Sequence, residues 1–357
     1  MVKRLLCAAL LALTANACAE QWPAKEWAFG PQLAGPAVKA LEDYAFAPRN
    51  DETREGIRTD ALLVIRDGEI IYERYAAPTT ASTPHLTWSV SKSLMATVLG
   101  VAYAENRFKL TDPVARFYPP MKQHPKVTMA DLLHWASGLD WQEDYEYAPL
   151  KSSVVAMLYT RGRGDMAEFA ANTDAAAAPG QAFRYSSGDS NILSAALKGM
   201  LGHKAYMSYP WDALFKPLGI RNATWETDAD ETFVASSYAY LTARDLARVG
   251  LLMARDGRWG EQQLLPEEWV AFNRQPFDKY KSGQDEAVPG GQWWLNTGAS
   301  RPWPDAPADT FAALGHWGQA LFVLPDEHLV IVRYGDDRDG SYRHNELLKR
   351  VLAAVQP

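Results

Sequence analysis

Two apolar runs near the N-terminal end, Ala61-Leu-Leu-Val-Ile-Arg66 and Glu69-Ile-Ile-Tyr-Glu-Arg-Tyr75, flank Asp67-Gly68. Asp-Gly accepts the positive φ values that a tight two-residue turn demands, so the pattern predicts a β-hairpin. A second hairpin is predicted near the C-terminal end, where Gln319–Leu324 and Leu329–Tyr334 flank Pro325-Asp-Glu-His328. Between the hairpins the apolar residues recur with helical period over 89–104, 128–136, 190–200 and 242–256, and a further helical pattern covers about 344–355. Loops rich in Gly, Pro and Trp separate these segments. Ala175–Ala178 reads as a helix end or loop, and no internal repeat is visible. The predicted fold class is α/β of the α+β sandwich kind: an antiparallel sheet built from both chain ends, flanked by helices, with an inserted, mostly helical lobe. The sheet lobe is expected over about 55–105 and 305–357, and the helical lobe over about 106–304.

The first residues stand apart from this pattern. Lys3 and Arg4 precede an apolar run, Leu5–Leu13, too short to span a bilayer, and small residues follow up to Ala17-Cys18-Ala19. That layout predicts a secretory signal peptide over 1–19, cleaved after Ala19, with a domain over 20–357 and a periplasmic destination. Lipid attachment at Cys18 is the weaker alternative, because Ala15 stands where such signals usually carry Leu. The only two cysteines, Cys7 and Cys18, lie inside the signal, so no disulfide is expected in the exported chain.

The formal charge is −7, and losing the signal removes two basic residues and no acidic one. With no basic run elsewhere, nucleic acid and anionic membrane surfaces are poor partners. No later stretch is long and apolar enough for stable membrane insertion. The oligomeric state is not fixed by the sequence.

The candidate chemistry begins at Trp88-Ser89-Val90-Ser91-Lys92. Ser89 opens a helical pattern, and three residues later Lys92 falls on the same face, within reach of the serine hydroxyl. An ammonium at the start of a buried helix meets desolvation and the positive end of the helix dipole, and both favour its neutral, proton-accepting form. A serine needs such a base to become a useful nucleophile. An isolated Ser-x-x-Lys is more often a cap and a solvated lysine; here it is the only such tetrad, and it opens an otherwise hydrophobic helix.

Ser-x-x-Lys marks the penicillin-recognising serine enzymes, and further segments resemble that superfamily. Pro179-Gly-Gln-Ala-Phe-Arg-Tyr185-Ser186-Ser187 resembles its Tyr-x-Asn element, with serine in the asparagine position. Leu314-Gly315-His316-Trp317-Gly318-Gln319 stands where the family has Lys-Thr-Gly. Lesser matches at Leu110–Val114, Val127–Leu139 and Thr242–Gly250 extend the resemblance over roughly 61–335. Within the superfamily the chain most resembles the nylon-oligomer (6-aminohexanoate-dimer) hydrolases, themselves similar to class C β-lactamases and related esterases. This rests on Tyr185-Ser186-Ser187, the Glu143-Asp144-Tyr145 loop, Gln292-Trp293-Trp294 and the Gly318-Gln319 pair.

The resemblance implies acyl transfer to a small-molecule ester or amide: Ser89 attacks, Lys92 and Tyr185 handle the proton, and water releases the acid. Which of the two takes the first proton stays open, because they form a coupled pair. The expected oxyanion hole is the backbone N–H groups of Ser89 and Gln319. Ser187, His316, Trp317, Gly318, Gln319 and Tyr145 are the expected substrate-binding residues, and Trp141, Tyr147 and Trp303 are candidates to line an apolar cleft. His316 in the lysine position argues against efficient β-lactam hydrolysis.

Other readings fare worse. Glu168–Asn172 has the spacing of a class A deacylating pair but precedes the tyrosine motif, the wrong order. No Gly-x-Ser-x-Gly elbow occurs. The seven histidines form no ligand cluster, so neither a metal nor another cofactor is expected. A penicillin-binding D-Ala-D-Ala peptidase, a weak β-lactamase and a non-catalytic peptidoglycan-binding protein of the same fold remain the alternatives.

Overall fold

A computed structural model describes residues 22–23, 26–281, 287–298 and 301–356. The segment expected as a signal peptide lies outside the described residues.

Asp67-Gly68 turns as expected, with φ of 53° and 87°. It joins strand β1 (Thr59–Arg66) to β2 (Glu69–Tyr75). Ahead of this hairpin lies helix α1 (Pro36–Ala45); behind it come α2 (Val90–Ala104), α3 (Ser187–Leu201) and α4 (Ala243–Ala254). The chain then adds β3 (Val288–Pro289), β4 (Trp294–Leu295), β5 (Phe311–Gly315), β6 (Gln319–Leu324) and β7 (Leu329–Gly335), and closes with α5 (His344–Val355). The seven strands form one sheet in the order β2-β1-β7-β6-β5-β4-β3. Every pairing is antiparallel. The chain ends therefore meet in mid-sheet, where Ala61 faces Tyr334 and Leu63 faces Val332. The sheet reaches back to Val288, earlier than the expected edge near residue 305, because two-residue strands among glycines and tryptophans carry no period-2 signal.

Both faces of the sheet are covered, which is why β1 and β7 read as continuous apolar runs. Leu62, Val64, Phe322 and Ile331 pack with Val38 and Leu41 of α1 and Leu347, Leu348 and Val351 of α5. Leu63, Ile65, Leu321 and Val332 turn the other way, towards α2 and α4. Helix α2 is buried along almost its whole length, so its hydrophobicity runs all round and Lys92 sits inside the core boundary. The inserted lobe is mostly helical: α3 with the short helices Met129–Leu133, Ser153–Tyr159 and Met166–Ala171.

Candidate active site

Ser89 occupies the N-cap position of α2 but makes no capping hydrogen bond. Its Oγ instead receives a hydrogen bond from Lys92 Nζ at 2.9 Å, as the one-turn spacing predicts. The ammonium also donates to the Ser236 carbonyl at 2.9 Å and lies 4.8 Å from the centre of the Tyr185 ring. Burial pulls the Lys92 pKa down to about 8, against the opposing pull of the Glu143 carboxylate. A lysine at that value is about one-tenth neutral at pH 7, far more than an exposed lysine.

Tyr185 reaches this group from the segment just before α3. Its ring packs against the stacked pair Trp135 and Trp294, at centroid distances of 4.9 and 5.3 Å. Ser186 caps α3 by accepting the Asp189 N–H. Asp189 in turn accepts a hydrogen bond from Ser137 at 2.7 Å, tying the turn after Met129–Leu133 to the first turn of α3. Burial raises the Asp189 carboxyl to about 7.

A cavity of about 580 Å³ opens over Ser89, walled by Tyr145, Tyr147, Tyr185, Trp294, Leu314, Gly315, His316 and His344, with the carboxylates Glu143, Asp144 and Glu146. Tyr145 stacks on His316 at 5.0 Å, and His316 Nε2 lies 2.9 Å from Glu146. Burial holds the His316 imidazole below its ordinary value although Glu146 pulls it upward. Burial takes His344 further, down to about 3. Trp88, just before the serine, and Trp317 both adopt left-handed backbone, with φ of 48° and 55°, and their rings meet edge to face at 5.2 Å. Bulky residues hold such conformations only where their surroundings force them, and such places cluster at functional sites.

Four expected substrate-binding residues lie elsewhere. Ser187 is fully buried; its hydroxyl donates to Glu143 Oε1 at 2.5 Å and its N–H to Oε2 at 2.9 Å, so it faces the loop and not the cavity. Gln319 is fully buried as well: it pairs with Gly315 in the sheet, and its carboxamide bridges to the Gly335 carbonyl at 2.7 Å and the Gly335 N–H at 3.0 Å. The residue beside the Ser89 amide is Gly315. A Cβ there would stand 3.2 Å from Ser89 N and 2.5 Å from the Thr87 carbonyl oxygen. The strand edge facing the serine therefore runs through Gly315 and His316, four and three residues ahead of the expected Gln319. Trp317 and Gly318 line a neighbouring cavity of about 590 Å³ with Trp303, Asp337 and Tyr342. Trp141 is buried and donates to Glu143.

Glu143, Trp294 and His344 were not singled out as binding residues in the sequence. Glu143 and Trp294 lie in segments that carried the resemblance, whereas nothing local marks His344. Among the described residues, no group of three or more His, Cys, Asp or Glu side chains is arranged to hold a metal, and no helix is long and apolar enough to cross a membrane.

The family model described as Beta-lactamase matches residues 39–355. The chain belongs to the Beta-lactamase family. Over 317 residues it is 29% identical to the 6-aminohexanoate-dimer hydrolase of Paenarthrobacter ureafaciens, covering 83% of this chain and 77% of that protein. A Bacillus anthracis protein assigned as a 6-aminohexanoate-dimer hydrolase superposes with a TM-score of 0.70 at 21% identity, over 94% of this chain and 88% of that one. EstCE1, a hydrolase with promiscuous acyltransferase activity, gives a TM-score of 0.70 at 17% identity, over 89% and 97%. Both superpositions show that this chain has the β-lactamase-like fold.

Proposed function

We propose that this chain hydrolyses small esters or amides through an acyl-enzyme on Ser89. The observation that carries the reading is the 2.9 Å hydrogen bond between the buried Lys92 and Ser89 Oγ at the floor of the 580 Å³ cavity. Its relatives, by name a 6-aminohexanoate-dimer hydrolase and a hydrolase with promiscuous acyltransferase activity, support the same class of reaction. Ser89 Oγ attacks the carbonyl carbon while its proton passes to the Lys92–Tyr185 pair. The developing oxyanion is received by the amides of Ser89 and His316, which flank the gap beside Gly315. The pair then returns the proton to the leaving amine or alcohol, and water attacking by the same route frees the acid and Ser89.

Tyr145, His316, His344 and Trp294 are the contacts assigned to substrate. Glu143, Asp144 and Glu146 disfavour an anionic β-lactam in the same space. The charged, apolar and small segments of residues 1–19 support export with cleavage after Ala19, checked by the intact mass of the periplasmic protein.

The experiment is hydrolysis of p-nitrophenyl butyrate and nitrocefin by wild type and Ser89→Ala. Wild type is expected to show a kcat/KM for the ester at least about tenfold above that for nitrocefin, the loss set by one missing charge-assisted contact. Ser89→Ala is expected to melt normally and to turn over neither. Turnover by that variant at the wild-type rate overturns the reading.

A further inference from the structure

We infer that Glu143 is a positioning residue for the Ser89 chemistry, clamping the Tyr185–Ser187 turn against the cavity and supplying the negative charge that the buried Lys92 faces. The inference rests on the proposed role of Ser89 and Lys92. It starts from three hydrogen bonds converging on one half-buried carboxylate in the cavity wall. Trp141 Nε1 and Ser187 Oγ each donate at 2.5 Å, and Ser187 N donates at 2.9 Å. A carboxylate accepting several charge-assisted bonds has little freedom to swing. Tyr185, two residues before Ser187, is thereby held from the loop side as well as by the Trp135 and Trp294 rings.

The second part of the argument is electrostatic. Lys92 is enclosed by Ser89, the Ser236 carbonyl and the Tyr185 ring. Among the charged groups of the described residues, Glu143 is the one acting on it against burial. The same carboxylate acts on Tyr145 of its own loop and on His316 across the cavity. Glu146 and Arg338 also act on His316, with opposite signs. Glu143 thus sits where its charge, and not only its shape, has a chemical effect: it favours the protonated lysine and sets how far pH must rise before Lys92 can accept a proton.

Charge and shape are separated by two substitutions. Glu143→Gln keeps an acceptor oxygen and the volume but removes the charge; Glu143→Asp keeps the charge. The pH dependence of kcat/KM for p-nitrophenyl butyrate is measured for each, with melting curves to verify folding. The acidic limb of Glu143→Gln is expected to move down by roughly one pH unit. At pH values well below the wild-type midpoint, this variant then keeps up to about tenfold more of its own plateau rate. Glu143→Asp is expected to leave the limb where wild type has it. If Glu143→Gln folds too poorly for kinetics, the ¹³Cε resonance of Lys92 is titrated in Glu143→Asp and wild type against Glu143→Ala, and only the alanine variant is expected to titrate lower. An unmoved limb, or an unmoved Lys92 titration, with Ser89→Ala still inactive, overturns this inference alone. Activity in Ser89→Ala overturns the underlying reading instead.

Discussion

Gly315→Ala tests the geometry of the strand edge beside Ser89 with a single methyl group. Gly315 has extended backbone, φ −135° and ψ 159°, which any residue adopts, so alanine brings no conformational strain. The difficulty is space. The added carbon would stand 2.5 Å from the Thr87 carbonyl oxygen, 3.0 Å from Gln319 Cβ and 3.2 Å from Ser89 N. An ordinary carbon–oxygen approach is roughly 3.3 Å, so β5 and the start of α2 must part by about 0.8 Å. Neither neighbour yields easily: Thr87 is fixed by its N–H and Oγ1 bonds to the Ala239 carbonyl, both 2.9 Å, and Gln319 is locked to Gly335. Overpacking of this kind costs roughly 1–3 kcal/mol of stability. The catalytic cost is larger in proportion, because the displaced groups are the amides of Ser89 and His316. A misplacement near 1 Å is worth about 10² in rate, similar to losing one oxyanion donor. The assay is steady-state hydrolysis of p-nitrophenyl butyrate beside a thermal melt. We expect kcat to fall about 10²-fold with KM little changed, since the contact strengthens only in the transition state. A folded variant with kcat within about threefold of wild type would refute the placement of the oxyanion site at Gly315–His316.

Two further outcomes follow from buried charge. With burial drawing the Lys92 pKa down to about 8, kcat/KM is expected, if Lys92 is the member of the pair that takes the serine proton, to rise about tenfold per pH unit below 8 and to level off above it; a rate independent of pH between 6 and 9 would exclude Lys92 as the base. Arg333 is fully buried, paired with Asp337 and bonded to the carbonyls of Gly318 and Arg58 at 2.9 Å, so Asp337→Ala leaves its charge uncompensated. A loss of about 3–5 kcal/mol, or roughly 5–10 °C in Tm, is expected in a melting experiment, and an unchanged Tm would show that the pair is dispensable.

The parts of this molecule written locally were legible in its sequence, and the parts written across the chain were not. Asp67-Gly68 announced its hairpin, and the Ser89–Lys92 spacing needed only helical geometry to become a contact. Thr128 and Asp131 form a reciprocal cap at the start of Met129–Leu133, as a predicted helix there requires. Gln319, by contrast, was placed at the serine by counting along a motif, whereas the turn at His316–Gly318 sends its side chain into the sheet. That direction is set by one reversal, which residue types do not encode when Trp317 takes the left-handed backbone a glycine would normally signal. Ser187 misled for a related reason: its partner, Glu143, lies 44 residues away. Buried polar groups find acceptors wherever the fold supplies them, and sequence spacing is blind to that distance.

The antiparallel pairing of β1 with β7 joins residues from opposite ends of the chain, from Thr59 with Gly335 to Arg66 with Leu329. During synthesis Ser89 and Lys92 leave the ribosome well before Gly315 and His316. A partial chain that stops short of β5 therefore has β1 paired with β2 alone, its other edge open, and no strand opposite Ser89. Such long-range pairing folds slowly and exposes apolar edges meanwhile. The strand edge opposite Ser89 is consequently supplied only when the last strands have docked on the first.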